Sequence, residues 1–133
     1  MKALVAVCLV GILAGCSTAP PQANWVKPGK LIANAWSAPS VGSGVLTITR
    51  DAGLTGSLCT IHAYLDGAAI GDLRISQTIT IYPTPGEHVA SVKSAALCDA
   101  DDERSLTIKP GETKRFRIAY AGSGTLKIEP TAF

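Results

Sequence analysis

The chain changes character near Gly44. Beyond it, apolar and polar side chains alternate in short runs, the period-two pattern of half-buried strands. Val45-Leu46-Thr47-Ile48-Thr49-Arg50 is the first run, and Asp51 to Ser57, with Gly53 and Gly56, predicts a loop. Cys59, Ile61, Ala63 and Leu65 share one face of the next strand. It runs into Asp66-Gly67, a strong short-range hairpin signal. Leu73 and Ile75 predict a short strand after Gly71-Asp72, and Ile79 and Ile81 alternate with Thr78, Thr80 and Tyr82. Pro85-Gly86 suits a type II turn, because Pro presets φ and Gly accepts a positive one. His88, Ala90 and Val92 then share a face. Ala95 to Arg104 predicts a loop carrying Asp99, Asp101, Asp102 and Glu103. Leu106 and Ile108 begin another strand, which ends at Pro110-Gly111-Glu112. Phe116, Ile118 and Tyr120 line the inner face of the strand after it, and Gly122-Ser123-Gly124 turns into Leu126-Lys127-Ile128. Seven or eight short strands at these spacings predict an all-β sandwich or barrel.

The first segment follows a different rule. Met1-Lys2 is a short positive start, and Ala3 to Leu13 is an apolar run of signal-peptide length, too short for a transmembrane helix. It ends in Leu13-Ala14-Gly15-Cys16, followed by Ser17. These first sixteen residues resemble a bacterial lipoprotein signal, whose lipobox is Leu-Ala-Gly-Cys. The alternative is an ordinary secretory signal with a chance cysteine. The resemblance implies cleavage before Cys16 and a diacylglycerol on its thiol. Two or three acyl chains make a stable anchor, each buried methylene contributing about 0.8 kcal/mol. Ser17, where the family uses Asp for inner-membrane retention, implies the outer membrane, with the protein facing the periplasm.

The division expected is then 1–15 signal peptide, 16–43 lipidated cysteine and tether, and 44–133 sandwich domain. The tether is rich in Pro, Ser, Ala and Gly, and Pro20, Pro21, Pro28 and Pro39 oppose helix. Both tryptophans, Trp25 and Trp36, sit in it. Either part of the segment packs on the domain as an edge strand, or the tryptophans contact lipid headgroups or glycan. Of the four cysteines, Cys8 leaves with the signal and Cys16 is lipidated. Cys59 and Cys98 remain in an oxidising compartment, where a disulfide is expected and a two-cysteine metal site is the rival.

Tyr64-Leu65-Asp66-Gly67, then Gly71, then Pro85-Gly86-Glu87-His88-Val89 resembles a PEGA-type domain over about residues 61–93. Leu65 stands where Val is commoner. The fuller run, from Thr47-Ile48-Thr49-Arg50-Asp51 to Thr113-Lys114-Arg115-Phe116-Arg117, is similar to small bacterial lipoproteins of the same type. The resemblance implies a small immunoglobulin-like antiparallel β-sandwich with no catalytic residues to carry over.

The candidate chemistry is sparse. His88 is expected to be a structural histidine hydrogen-bonded near the core edge, and His62, on the face of Tyr64, a surface residue. No spacing supplies the three or four converging ligands of a zinc site. Asp99 to Glu103 lacks the spaced ligands and central Gly of an EF-hand, so a solvated acidic loop is expected rather than a calcium site. Gly42-Ser43-Gly44 and Gly122-Ser123-Gly124 are turns, not nucleophile elbows. Lys109, Lys114, Arg115 and Arg117 form the one basic cluster, either a charged edge strand that discourages sheet-to-sheet pairing or a contact for anionic lipopolysaccharide or peptidoglycan. A net charge of +2 over 133 residues gives no concentrated basic surface for nucleic acid.

The expectation is a non-enzymatic, membrane-anchored envelope lipoprotein that needs no cofactor and acts as a binding or structural module for an envelope protein or polymer. No oligomeric state is specified. A periplasmic inhibitor of a cell-wall-degrading enzyme is the alternative, with Asp99 to Glu103 as the protruding loop it needs. A hydrolase would require a pocket joining His62 or His88 to a carboxylate.

Overall fold

The computed structural model describes residues 17–133, so the expected signal peptide and Cys16 lie outside the described residues. The strands are β1 (Lys27–Pro28), β2 (Lys30–Leu31), β3 (Val45–Arg50), β4 (Ile61–Leu65), β5 (Ala68–Leu73), β6 (Gln77–Ile81), β7 (Gly86–Ser94), β8 (Asp101–Ile108), β9 (Thr113–Tyr120) and β10 (Leu126–Pro130). They form two five-stranded sheets, β1-β6-β3-β9-β10 and β2-β5-β4-β7-β8, packed face to face as a sandwich. The pairing is antiparallel except at β3–β9 and β1–β6, so the first sheet is mixed.

Alternation decides which side chains fill the gap between the sheets. Leu46 and Ile48 from β3, Ile79 and Ile81 from β6, and Phe116 and Ile118 from β9 face Ile61, Ala63 and Leu65 from β4 and Ala90 and Val92 from β7. All are buried, and their intervening neighbours are not. β-Branched residues suit this pleated, half-buried surface. On the outer face of the first sheet, Thr47 meets Thr80 at 3.2 Å and Thr49 meets Thr78 at 2.9 Å, cross-strand hydroxyl pairs that help fix the register.

Three expectations need correction. Of the two readings of residues 17–43, the packing one holds: the segment runs along the domain and adds short edge strands to it, in place of a free tether. Ala19 bridges Ala52, β1 adds to β6, and β2 adds to β5. A short 3₁₀ turn at Ala23–Trp25 lies between the first two of these attachments. Gly71 of β5 makes the β2 contact possible, since a Cβ there would stand 2.8 Å from the Lys30 carbonyl oxygen. Second, the acidic stretch is mostly strand. Asp101, Asp102 and Glu103 open β8 and pair with Lys93, Val92 and Ser91. Third, the strand expected around Leu73 and Ile75 starts at Ala68 and ends at Leu73. A bulge between Ala63 and Tyr64 of β4 and their β5 partners accompanies the burial of both Ile70 and Gly71.

Candidate functional site

Each end of the sandwich gathers polar groups. At one end, β3 delivers Arg50 on the same inward phase as Leu46 and Ile48. Arg50 is only 1% exposed. Its guanidinium donates to the carbonyls of Gly56, Cys59 and Leu73, and it lies 6.0 Å from the Tyr120 ring centroid. A buried cation without a carboxylate is tolerated because these carbonyl dipoles and the ring face replace water. Desolvation lowers its pKa, yet an arginine stays charged. Gly56 lies flat under Tyr120, where a Cβ would fall 2.5 Å from the ring. Cys59 and Cys98 are joined at a Cα separation of 6.4 Å, tying the β3–β4 loop to the β7–β8 loop.

The next residue, Asp51, is also buried. It accepts from the Arg117 guanidinium at 2.6 Å and the Thr18 hydroxyl at 3.0 Å. Burial pushes its carboxyl up, while Thr18 and Arg117 pull it down by less. Thr18 is fastened further: its amide donates to the Tyr120 carbonyl at 3.1 Å, and its Oγ1 accepts from the Tyr120 amide at 2.8 Å. The chain therefore enters the fold at this end.

At the other end, Asp66 and Gly67 both take positive φ, 49° and 79°, as a type I′ turn requires. The Asp66 carboxylate accepts from the Val89 amide at 2.8 Å and from His88 Nδ1 at 2.6 Å. His88 Nε2 donates to the Thr84 carbonyl at 2.7 Å. An imidazole with acceptors on both nitrogens must carry both protons. Burial alone would push His88 down, but the Thr84 carbonyl and Asp66 outweigh it and raise the pKa. Desolvation likewise pushes Asp66 up, and the Val89 amide and His88 outweigh it, leaving the carboxyl below its usual value. The Asp-Gly and Pro-Gly-Glu-His segments thus lock the β4–β5 turn to the connection that crosses from β6 in one sheet to β7 in the other. Trp36 meets the edge of His88 at 6.2 Å and 84°, and its carbonyl accepts from the Tyr82 amide at 2.8 Å.

The residues singled out from the sequence separate into different settings. Trp36 is half-buried against the core and His88, whereas Trp25 is 66% exposed. The basic cluster does not act as one patch. β9 lies between β3 and β10, so it is not the charged edge strand expected. Arg117 is committed to Asp51 and lies 3.6 Å from Glu129. Lys109 sits in the β8–β9 turn, and Lys114 and Arg115 line an open cleft of about 520 Å³ beside β8, with Ser105, Thr107 and Pro130. The edge strand on this side of the sheet is β10, and β8 covers it. Asp102 accepts from the Ile128 amide at 2.8 Å, and Arg104 Nε reaches the Ile128 carbonyl at 3.4 Å. The acidic run from Asp101 therefore protects a sheet edge, and only Asp99 and Ala100 of the stretch Asp99 to Glu103 lie outside the strand.

His62 pairs with Asp72 at 2.7 Å on the outer face of the second sheet, with Lys30 at 3.6 Å from the same carboxylate. Each histidine has its carboxylate, but His88 has no free nitrogen to act as a base. Sequence reasoning missed Arg50 and Asp51 as buried groups. The available signal was parity, since Arg50 falls on the phase of Leu46 and Ile48. No protein-family model and no curated protein matches the chain.

Proposed function

We propose that the chain is a non-enzymatic lipoprotein of a bacterial envelope, anchored through Cys16 in the outer membrane and presenting its sandwich to the periplasm as a binding or structural module. The carrying observation is Leu13-Ala14-Gly15-Cys16 after a charged start and a short apolar run. The Cys59–Cys98 pair supports an oxidising compartment. The two-turn lock at Asp66 and His88 supports a structural use for the histidine that a hydrolase would need. Lys114 and Arg115, on their cleft, supply the contact for an anionic envelope polymer or protein.

Mass spectrometry of the mature protein tests the anchor. The expected N-terminal peptide begins at Cys16 and carries diacylglycerol, and Cys16→Ala abolishes both the cleavage and the membrane association. A mature chain beginning elsewhere with Cys16 unmodified overturns the reading. Crosslinking in intact cells from positions beside Lys114 tests the module, and reproducible absence of any envelope partner counts against it.

A further inference from the structure

The described chain begins beside one end of the sandwich, and that end is unlike the rest of the surface. A Cβ on Gly53 would lie 3.0 Å from the Thr18 side chain, so the tip of the β3–β4 loop stands next to the point of entry. Cys16 precedes Thr18 by two residues, a reach of at most about 7 Å. A lipid on Cys16 therefore puts the bilayer surface at this loop and leaves no room for a tether.

The loops at this end put three large apolar side chains into solvent. Leu54 is 89% exposed, Leu58 96% and Leu97 100%. Leu58 precedes Cys59 and Leu97 precedes Cys98, so the disulfide holds the two leucines on neighbouring loops. Stretches 52–60, 95–98 and 121–125 contain no charged residue. Two of the nearby charges are turned inward, Arg50 to three carbonyls and Asp51 to Arg117, while Asp99 and Arg74 stay exposed at the margin. Trp25 and Ile75 share a shallow cleft beside Ser76, whose amide faces the Asp51 carbonyl at 3.4 Å. Single exposed leucines are ordinary. Three of them on braced loops, with Asp99 the one exposed charge in the two loops that carry them, form the surface an interfacial protein presents to lipid, with a tryptophan at the rim.

We propose that the β3–β4 and β7–β8 loops are a membrane-docking surface, inserting Leu54, Leu58 and Leu97 into the bilayer that holds Cys16. This rests on the lipoprotein reading above. It fixes the orientation of the domain: the Asp66–His88 end, with the Lys114–Arg115 cleft between β8 and β9, points away from the membrane.

The test uses full-length lipidated protein in phosphatidylethanolamine–phosphatidylglycerol vesicles. An environment-sensitive fluorophore is attached at Leu54→Cys, and at Val41→Cys as the reference from the opposite end. Spin labels on the lipid acyl chains serve as quenchers. The expected result is blue-shifted emission quenched by acyl-chain labels at position 54, with neither effect at 41. Equal, unquenched emission at both positions, in protein that carries its acyl groups and floats with vesicles, overturns docking and leaves the anchor standing. A blue shift at 54 without lipid quenching points to a second protein copy over the leucines and also overturns it. Protein lacking the acyl mass overturns both readings.

Discussion

At the end that receives Thr18, one arginine, one disulfide and one aspartate brace a long loop from within. At the opposite end, one carboxylate and one imidazole lock two tight turns from the rim. Arg50 is sequestered under Gly56 and Cys59, and the solvent side of its loop is left to leucines. Asp66 stays about two-fifths exposed beside Gly67, charged Glu87 stands at the start of β7, and Lys109 and Glu112 stand in the β8–β9 turn. The difference lies in where the charge goes. Turning polar groups inward to satisfy backbone carbonyls rigidifies a loop and frees its outer face for apolar contact. Keeping the pair at the rim leaves that end wet and makes it responsive to pH near neutrality.

The largest break in this comparison is at Arg50. Arg50→Met keeps the volume and removes the donors, leaving three buried or half-buried carbonyls without their partner. The expected cost is about 3–5 kcal/mol, measured by urea unfolding. A loss below about 1 kcal/mol would show that the loop holds itself. The disulfide comes next. With a sequence separation of 39, the double variant Cys59→Ala/Cys98→Ala should lose about 2–4 kcal/mol. Two free thiols in protein isolated without reductant would contradict the pairing outright.

The sandwich was legible from period-two alternation because it depends only on which side chains face the partner sheet. β3, β4, β6, β7, β9 and β10 all show it. β1 and β2 were hidden because two-residue edge strands carry no period, and Pro28 and the neighbouring Gly29 read as linker. The start of β8 was hidden for another reason. At an edge strand held by backbone pairing, Asp101 to Ser105 bring no apolar residue to the inner face, so their acidity suggested a loop. Asp102 gained its role from Ile128, a residue far away in sequence. Arg50 and Asp51 follow the same logic. A charge closing an alternating run reads as solvent-facing until the carbonyls of a distant loop and Arg117 are brought to it.

The third prediction turns on sign. The pKa of His88 is raised above 6.5, so its contribution to stability is complete below that value and is lost as pH rises through the folded pKa. Asp66 is lowered from 3.8, so its contribution is complete above 3.8 and is lost as pH falls through the folded pKa. Wild-type stability should therefore decline on the alkaline side of 6.5, and the decline should flatten in His88→Gln, which lacks the titrating ring. At mildly acidic pH the substitution should cost about 1 kcal/mol, since one partner of the pair is solvent-screened. Trp36→Ala should cost more in wild type than in the His88→Gln background by about 0.5–1.5 kcal/mol, the size of an edge-to-face contact. Parallel pH profiles for wild type and His88→Gln would remove the imidazole from the account of this end.

The smallest expected change sharpens the comparison most. Leu54, Leu58 and Leu97 are nearly fully exposed, so folding buries almost none of their apolar surface. Replacing all three with Gln should leave thermal stability within about 0.5 kcal/mol. Leu46→Ala, in the core between the sheets, should cost about 2–5 kcal/mol by loss of transfer energy and creation of a cavity. A surface that holds apolar groups without using them for folding has them available for a second phase. If the triple variant instead loses more than about 1 kcal/mol, the leucines pack on one another in solution and the loops are part of the fold. If stability is unchanged, the free energy of covering these side chains is left to whatever meets that end. Arg50, Asp51 and the disulfide then act as the brace that keeps the leucines outward, so Arg50→Met should weaken acyl-label quenching at position 54 even under conditions where the variant remains folded.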